Sequence, residues 1–232
     1  MKLGDVIPDF KAETDRGVFD SFYNWVGEGK WSMIFSHPAD FTPVCTTELA
    51  RLSILAPEFE RRNVRIIAIS IDSAETHRAW AADINSFAAC SKRGNMNELP
   101  YEIIADTDRS ICTELGMIDP DEVNCAGVAL SARAVLLIGP DHRLKSKILY
   151  PATCGRSFDE ILRMVDGVQL GARLPVATPV DWQPGAPVIA QPNLSTRDVI
   201  EQLCKGDEDK CTVVQFPSGK EYMRFVDPST LQ

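Results

Sequence analysis

Residues 31–71 read WSMIFSHPADFTPVCTTELARLSILAPEFERRNVRIIAISI, and their order decides the fold. Trp31 to Phe35 is a short apolar run and predicts a buried strand. Ser36 to Val44 holds Pro38 and Pro43 and predicts a loop. From Cys45 the pattern turns helical, with Leu49, Leu52, Leu55 and Phe59 on one face. Val64 to Ile71 is β-branched and nearly all apolar, the composition of a central strand buried on both faces. Outward from this stretch the alternation continues. Ser73 to Phe87 predicts a helix capped near Asp72, Tyr101 to Ile104 a strand and Ser110 to Leu115 a short helix. Ala132 to Ile138 and Leu144 to Tyr150 predict strands joined through the turn Gly139-Pro140-Asp141-His142. A further helix is expected over Phe158 to Leu170. Strands alternating with helices predict an α/β fold with helices on both faces of the sheet, and the hairpin makes the sheet mixed. Leu174 to Pro187 contains prolines 175, 179, 184 and 187 and predicts a semi-rigid linker. Residues 188–232 form a small mixed segment with too little core to stand alone. The expected organisation is a domain over residues 1–170, a linker over 171–187 and an arm over 188–232. The arm should pack on its own first domain or on a partner subunit.

Composition narrows the function. Hydrophobic residues make up 44% of the 232, enough for a full core. The formal charge of -9 disfavours nucleic acid and polybasic attachment to membranes. No apolar run approaches the ~18 residues a membrane span needs, and no basic-then-apolar leader opens the chain. A soluble protein of a reducing compartment, the cytoplasm, is expected. The seven cysteines agree: their number is odd, and the chain is too long to need disulfide staples. There is no CxxC and there are three histidines, so a zinc site is poorly supported.

His37-Pro38-Ala39-Asp40-Phe41-Thr42-Pro43-Val44-Cys45-Thr46-Thr47-Glu48 puts a cysteine after a strand and a proline-shaped loop, where a helix opens. First-turn amides lack intrahelical acceptors and can donate to a thiolate. The helix dipole adds ~0.3–1 kcal/mol. A free thiol is only ~3% ionised at pH 7, and the dipole alone does not change that enough. A cation from elsewhere in the fold, Arg133 or Arg156, is needed. Thr42, three residues before Cys45, can present a hydroxyl beside the sulfur to hold one peroxide oxygen while the thiolate attacks the other. An arginine can stabilise charge on the leaving oxygen, and Pro38 can fix the loop. The competing reading is an inert buried cysteine, the usual state of a free thiol.

The pattern Pro38-x-x-x-Thr42-x-x-Cys45, within Asp40-Phe41-Thr42-Pro43-Val44-Cys45-Thr46-Thr47-Glu48-Leu49, resembles the active-site signature of the peroxiredoxin family. Leu3-Gly4-Asp5 to Phe10 resembles that family's N-terminal strand, and Ser131-Ala132-Arg133 its active-site arginine segment. Tyr150-Pro151-Ala152-Thr153, Gly155-Arg156, Ala177-Thr178-Pro179-Val180-Asp181-Trp182 and Pro217-Ser218-Gly219-Lys220 are similar to the 1-Cys, peroxiredoxin 6-like branch. The likeness covers essentially the whole chain. It implies a thioredoxin-like fold with a C-terminal dimerisation arm, in a homodimer or higher homo-oligomer. It implies reduction of hydrogen peroxide and organic hydroperoxides through a Cys45 sulfenic acid. Thr42 and Arg133 would bind and polarise the peroxide, and Pro38 would shape the pocket. His37 would adjoin the site, with Glu48 and Arg156 in its polar network. No metal, haem or flavin cofactor is implied, and the electrons come from an external thiol such as glutathione.

The resolving Val-Cys-Pro segment of two-cysteine enzymes is missing. Cys204 and Cys211 are candidates to resolve Cys45, within a chain or across a dimer, or are incidental. Cys154 stands where the family usually carries threonine, and Ala129 where it commonly has proline. A lipid-hydrolase site proposed in mammalian relatives needs a serine and a histidine. Lys30 and Asn24 occupy those places, so that activity is not expected. A redox relay that passes oxidation from Cys45 to a protein partner would use the same motif.

Overall fold

The structure, a computed structural model, describes residues 1–90 and 98–231; position 232, the last of the expected arm, lies outside them. The chain divides into two compact units, Met1–Phe158 and Asp159–Gln232.

The first unit contains β1 (Ala12–Thr14), β2 (Gly17–Phe19), α1 (Phe22–Val26), β3 (Trp31–Ser36), α2 (Pro43–Arg61), β4 (Val64–Ser70) and α3 (Ala74–Cys90). It continues with β5 (Glu102–Ala105), α4 (Ser110–Glu114), β6 (Ile118–Val123), β7 (Ala129–Ser131), β8 (Arg133–Ile138) and β9 (Leu144–Tyr150). Seven strands form one sheet in the order β2-β1-β5-β4-β3-β8-β9. β4 runs parallel to β3 and β5, while β8 runs antiparallel to β3 and β9. The sheet is therefore mixed, as the hairpin implied.

Alternation along the strands sorts side chains to two faces. Ile34, Ile67, Ile69 and Leu136 meet Phe22 and Val26 of α1 and Ile111, Cys112 and Leu115 around α4. On the other face Phe35 meets Phe59 of α2 edge-on. α2 lies against β4 and α3, and α3 against β5. Leu49, Leu52 and Phe59 are fully buried, as their helical spacing predicts. α2 opens at Pro43, two residues earlier than the apolar pattern indicates. Proline suits the first helical position, where an amide is not needed.

Some elements carry no clear sequence pattern. β1 and β2 are three-residue strands, and α1 has five residues, too short to give a period. The stretch from Leu3 to Phe10 is not a strand; Val6 makes a single bridge to Arg143. Gly4 at φ 88° and Pro8, which lacks an amide donor, interrupt it.

The second unit holds all but the first residue of α5 (Phe158–Arg173), then β10 (Val176–Ala177), β11 (Val188–Ala190), α6 (Thr196–Gln202), β12 (Cys211–Val213) and β13 (Arg224–Val226). Its strands form an antiparallel sheet in the order β10-β11-β13-β12. Val176, Trp182, Val188, Ala190, Val199, Leu203, Cys204 and Val226 make its core, with Leu170 and Leu174 against them. The division thus falls at 158/159 rather than at 170. The proline-rich stretch also differs from a linker: it contributes β10 and the buried Trp182, whose Nε1 donates to the Ala186 carbonyl at 3.0 Å. Four prolines shape its turns while its apolar side chains fill the core.

Candidate active site

Cys45 is the third residue of α2 and is fully buried. Phe41, at φ 53°, turns the chain sharply through a left-handed conformation that costs a non-glycine residue roughly 1–2 kcal/mol. Thr42 follows as an extended N-cap, but its side chain makes no cap bond; its Oγ1 donates instead to the Ala39 carbonyl at 2.9 Å. The first intrahelical amide bond is Thr46 to Thr42 at 3.0 Å. The amides of Val44 and Cys45 precede it and have no intrahelical acceptor. Pro38, just upstream, is buried.

Arg133, the first residue of β8, is 3% exposed. Its Nε and Nη2 donate to the Ala152 carbonyl at 2.8 and 2.7 Å, which fixes the guanidinium plane. Nη1 is left facing Cys45 Sγ at 3.3 Å and Glu48 Oε2 at 2.9 Å. Glu48 lies one turn beyond Cys45, on the same helix. It also accepts from Arg156: from the backbone amide at 2.7 Å, Nε at 3.0 Å and Nη2 at 2.8 Å. Arg156 Nη1 donates to the Ala134 carbonyl at 2.6 Å. Burial pushes the Glu48 carboxyl up, but the charges and hydrogen bonds of Arg156, with Arg133, outweigh it and hold the group below its usual range. Two buried guanidiniums against one carboxylate leave one positive charge in excess, and its Arg133 end faces the Cys45 sulfur.

A second buried chain lies on the same loop. His37 Nε2 meets Asp40 Oδ1 at 2.8 Å, and His77 Nδ1 of α3 meets Asp40 Oδ2 at 2.6 Å. His77 Nε2 faces the Ile104 carbonyl at 3.2 Å. The His77 ring is thereby held between the Asp40 carboxylate and the backbone of β5. Burial lowers the His37 ring against the pull of Asp40, so at neutral pH it is uncharged and donates through Nε2. That leaves a lone pair on His37 Nδ1, which is buried without a partner. Burial raises the Asp40 carboxyl, but hydrogen bonds from His37 and His77 prevail and hold it at about 2. The Asp40 amide is tied to Asp72 at 2.8 Å and the His37 carbonyl to Ser131 Oγ at 2.6 Å. His37, Asp40 and His77 offer ligand atoms within 4.8 Å of one another. Their carboxylate–imidazole contacts have hydrogen-bond lengths, and a metal at about 2.0–2.2 Å from each ligand would have to displace those protons.

The structure thus brings together Cys45, Arg133, Glu48 and Arg156. It sets Thr42 at the mouth of the helix and ties His37 to Asp40. Sequence reasoning misses Asp40 and His77 as members of the site. Asp40 lies within the signature motif, but nothing local marks its partner 37 residues on. Cys204 and Cys211 belong to the second unit. Cys154 is exposed.

Known proteins share this architecture. Residues 3–147 match the AhpC/TSA family model, and residues 167–206 match the C-terminal domain of 1-Cys peroxiredoxin. The chain is 52% identical over 231 residues to 1-Cys peroxiredoxin of Dirofilaria immitis, covering 97% of this chain and 96% of that one. It is 48% identical over 225 residues to human peroxiredoxin-6, covering 97% and 96%. Among solved structures, a mutant of the peroxiredoxin 6 of Arenicola marina superposes with a TM-score of 0.90 at 42% identity, covering 98% of each chain. The chain belongs to the AhpC/TSA family, the peroxiredoxins, and within it to the 1-Cys branch. Thiol-dependent peroxidase activity follows from that membership.

Proposed function

We propose that Cys45 reduces hydrogen peroxide and organic hydroperoxides as a thiolate, and that an external thiol resolves the product. The observation that carries this reading is Arg133 Nη1 held at 3.3 Å from Cys45 Sγ by its anchors on Ala152 and Glu48. The thiolate attacks one peroxide oxygen, the O–O bond breaks, and the departing oxygen takes a proton to leave as water or alcohol. Cys45 becomes a sulfenic acid. Thr42 Oγ1 gives its proton to Ala39, so its lone pairs are directed to accept from the hydroperoxide O–H. Arg133 donates to the oxygens as charge shifts between them. An external thiol then attacks the sulfenic sulfur and expels water, and a second thiol releases Cys45 as the reduced thiol with a small disulfide. Glutathione is the favoured reductant. The structure of a yeast mitochondrial 1-Cys peroxiredoxin, with a TM-score of 0.82 and 32% identity, describes thiol resolution via glutathione and thioredoxin systems in that protein.

We extend the reading to a homodimer, with the arm in its contacts, in the cytoplasm. β9 forms one edge of the main sheet and carries an exposed Leu149, the type of strand edge that another chain extends. The odd cysteine count supports a reducing compartment. No described helix is long and apolar enough to cross a membrane.

Peroxide consumption with and without added glutathione tests the reaction. Multiple turnovers are expected only with the thiol, and none in Cys45→Ser. Full turnover by Cys45→Ser overturns the assignment. Rapid oxidation without turnover on any small thiol favours transfer to a protein partner instead.

A further inference from the structure

The second unit holds a pair of cysteines to which the reaction proposed above assigns no step. α6 ends at Gln202, and Cys204 follows as a fully buried member of the unit's core. The chain then reverses. Lys205 and Gly206 take φ values of 57° and 84°. The Gly206 amide donates to the Ile200 carbonyl at 2.9 Å, and the Asp207 amide to the Cys204 carbonyl at 3.0 Å. Asp207 Oδ1 accepts from the Asp209 amide at 3.0 Å, and Lys210 is bound to Asp227 at 3.0 Å. This turn returns Cys211, the first residue of β12, to the same core, where it packs partly buried against the cluster that contains Cys204. The turn thus sets both thiols at one small core, where each bears on the ionisation of the other.

A third group completes the arrangement. Arg224 of β13 is 4% exposed; its Nη2 reaches the Pro192 carbonyl at 3.4 Å, and its Nε is buried without a partner. Among the described residues no carboxylate forms an ion pair with it in the structure. Its strand pairs with β12, with Arg224 opposite Val213, and its charge favours the ionised form of Cys211.

We propose that Cys204 and Cys211 are a redox-modification site: a dithiol that closes to an intramolecular disulfide by exchange with a low-molecular-weight disulfide such as glutathione disulfide. Cys211 is the entry thiol, because it is partly exposed and beside Arg224. Its thiolate attacks one sulfur of the small disulfide. That S–S bond breaks, one small thiolate leaves and takes a proton, and a mixed disulfide remains on Cys211. Cys204 then loses its proton and attacks the Cys211 sulfur, releasing the other small thiol. The sum is one small disulfide reduced to two thiols and one protein dithiol oxidised to a disulfide. Cys204 is poorly suited to begin. Burial, with the charges of Cys211, Asp207 and Asp227, pushes its thiol up to about 11, leaving roughly one part in ten thousand ionised at pH 7. Burial raises the Cys211 thiol too, but the charge of Arg224 opposes it. Exchange is therefore slow, and the pair responds to a sustained excess of disulfide. This proposal stands apart from the role of Cys45.

The test is peptide mapping of the folded, reduced full chain after exposure to a graded excess of glutathione disulfide, with free thiols alkylated before digestion. Trypsin cuts at Lys205 and Lys210, so the two cysteines fall on separate peptides unless a disulfide joins them. The exposed Cys154 reports that exchange has taken place. Joined Cys204 and Cys211 peptides are expected in wild type. Cys204→Ala should retain a glutathione adduct on Cys211, and Cys211→Ser should leave Cys204 alkylated. The proposal is overturned if wild type accumulates the adduct on Cys211 with Cys204 free. It is equally overturned if both stay alkylated when Cys154 is fully modified, or if either is joined to Cys45. The wild-type result decides the matter even where a variant fails to fold.

Discussion

At the scale of single residues, the site works by leaving one guanidinium nitrogen nowhere else to point. Ala152 holds two nitrogens of Arg133, and the third lies between Cys45 and Glu48. Arg133→Met should slow sulfenic acid formation by ~10²–10³-fold, the usual cost of removing one preorganised donor, measured by stopped-flow fluorescence or peroxide consumption. Thr42→Ser should stay close to wild type in the same assay, while Thr42→Val should fall well below it, because only serine keeps the hydroxyl lone pairs. Glu48→Gln should cost stability first, about 3–5 kcal/mol, since it leaves two buried guanidiniums without their carboxylate. Urea denaturation measures that loss. Cys45 and its loop are legible because proline, threonine and cysteine at fixed spacing constrain both backbone and chemistry. Arg133 and Arg156 are assigned by resemblance, since no local signal reveals which strand end faces a helix. Asp40 and His77 escape the sequence, because a hydrogen bond across 37 residues leaves no trace in spacing.

At the scale of elements, the loop between β3 and α2 is clamped by the His37–Asp40–His77 chain, which reaches across to α3. That clamp is acid-sensitive in a defined direction. Asp40 is held at about 2 against a usual 3.8, so it binds a proton less readily when folded than when unfolded. Its contribution, about 2 kcal/mol, is present above pH 4 and is lost as pH falls from there toward 2. His37 is lowered by burial, so its neutral form favours the fold, and that contribution fades as pH drops below about 6.5. Both act the same way. Urea midpoints should therefore decline from pH 7 downward, and Asp40→Asn should flatten the decline between pH 4 and 2. An unchanged slope in that variant would mean that Asp40 does not clamp the loop. The central strands and long helices are readable because β3, β4 and α2 carry long apolar patterns. β1, β2 and β10 to β13 have two or three residues each, and no period fits in so few.

At the scale of the molecule, two units each carry a core. The larger is built on a seven-stranded mixed sheet and the smaller on a four-stranded antiparallel one. Counted only from residue 188, the smaller unit has too little apolar material to stand. Leu170, Leu174, Val176 and Trp182 lie before that point and supply part of its core. Prolines in this stretch imitate a spacer, whereas the apolar residues between them carry the structural information. Sedimentation equilibrium should give twice the chain mass of 25.7 kDa for the proposed homodimer. Charged substitution at Leu149, Leu149→Glu, should shift it toward the monomer if the β9 edge forms the contact.

Whether Cys45 is the residue that peroxide oxidises is decided by mass spectrometry after one equivalent of hydrogen peroxide in the presence of a sulfenic-acid trap. Wild type and Cys45→Ser are compared, and the trapped position is mapped by digestion. One trapped adduct on Cys45 is expected in wild type and none in Cys45→Ser. An adduct on another cysteine, or equal oxidation of Cys45→Ser, would contradict it.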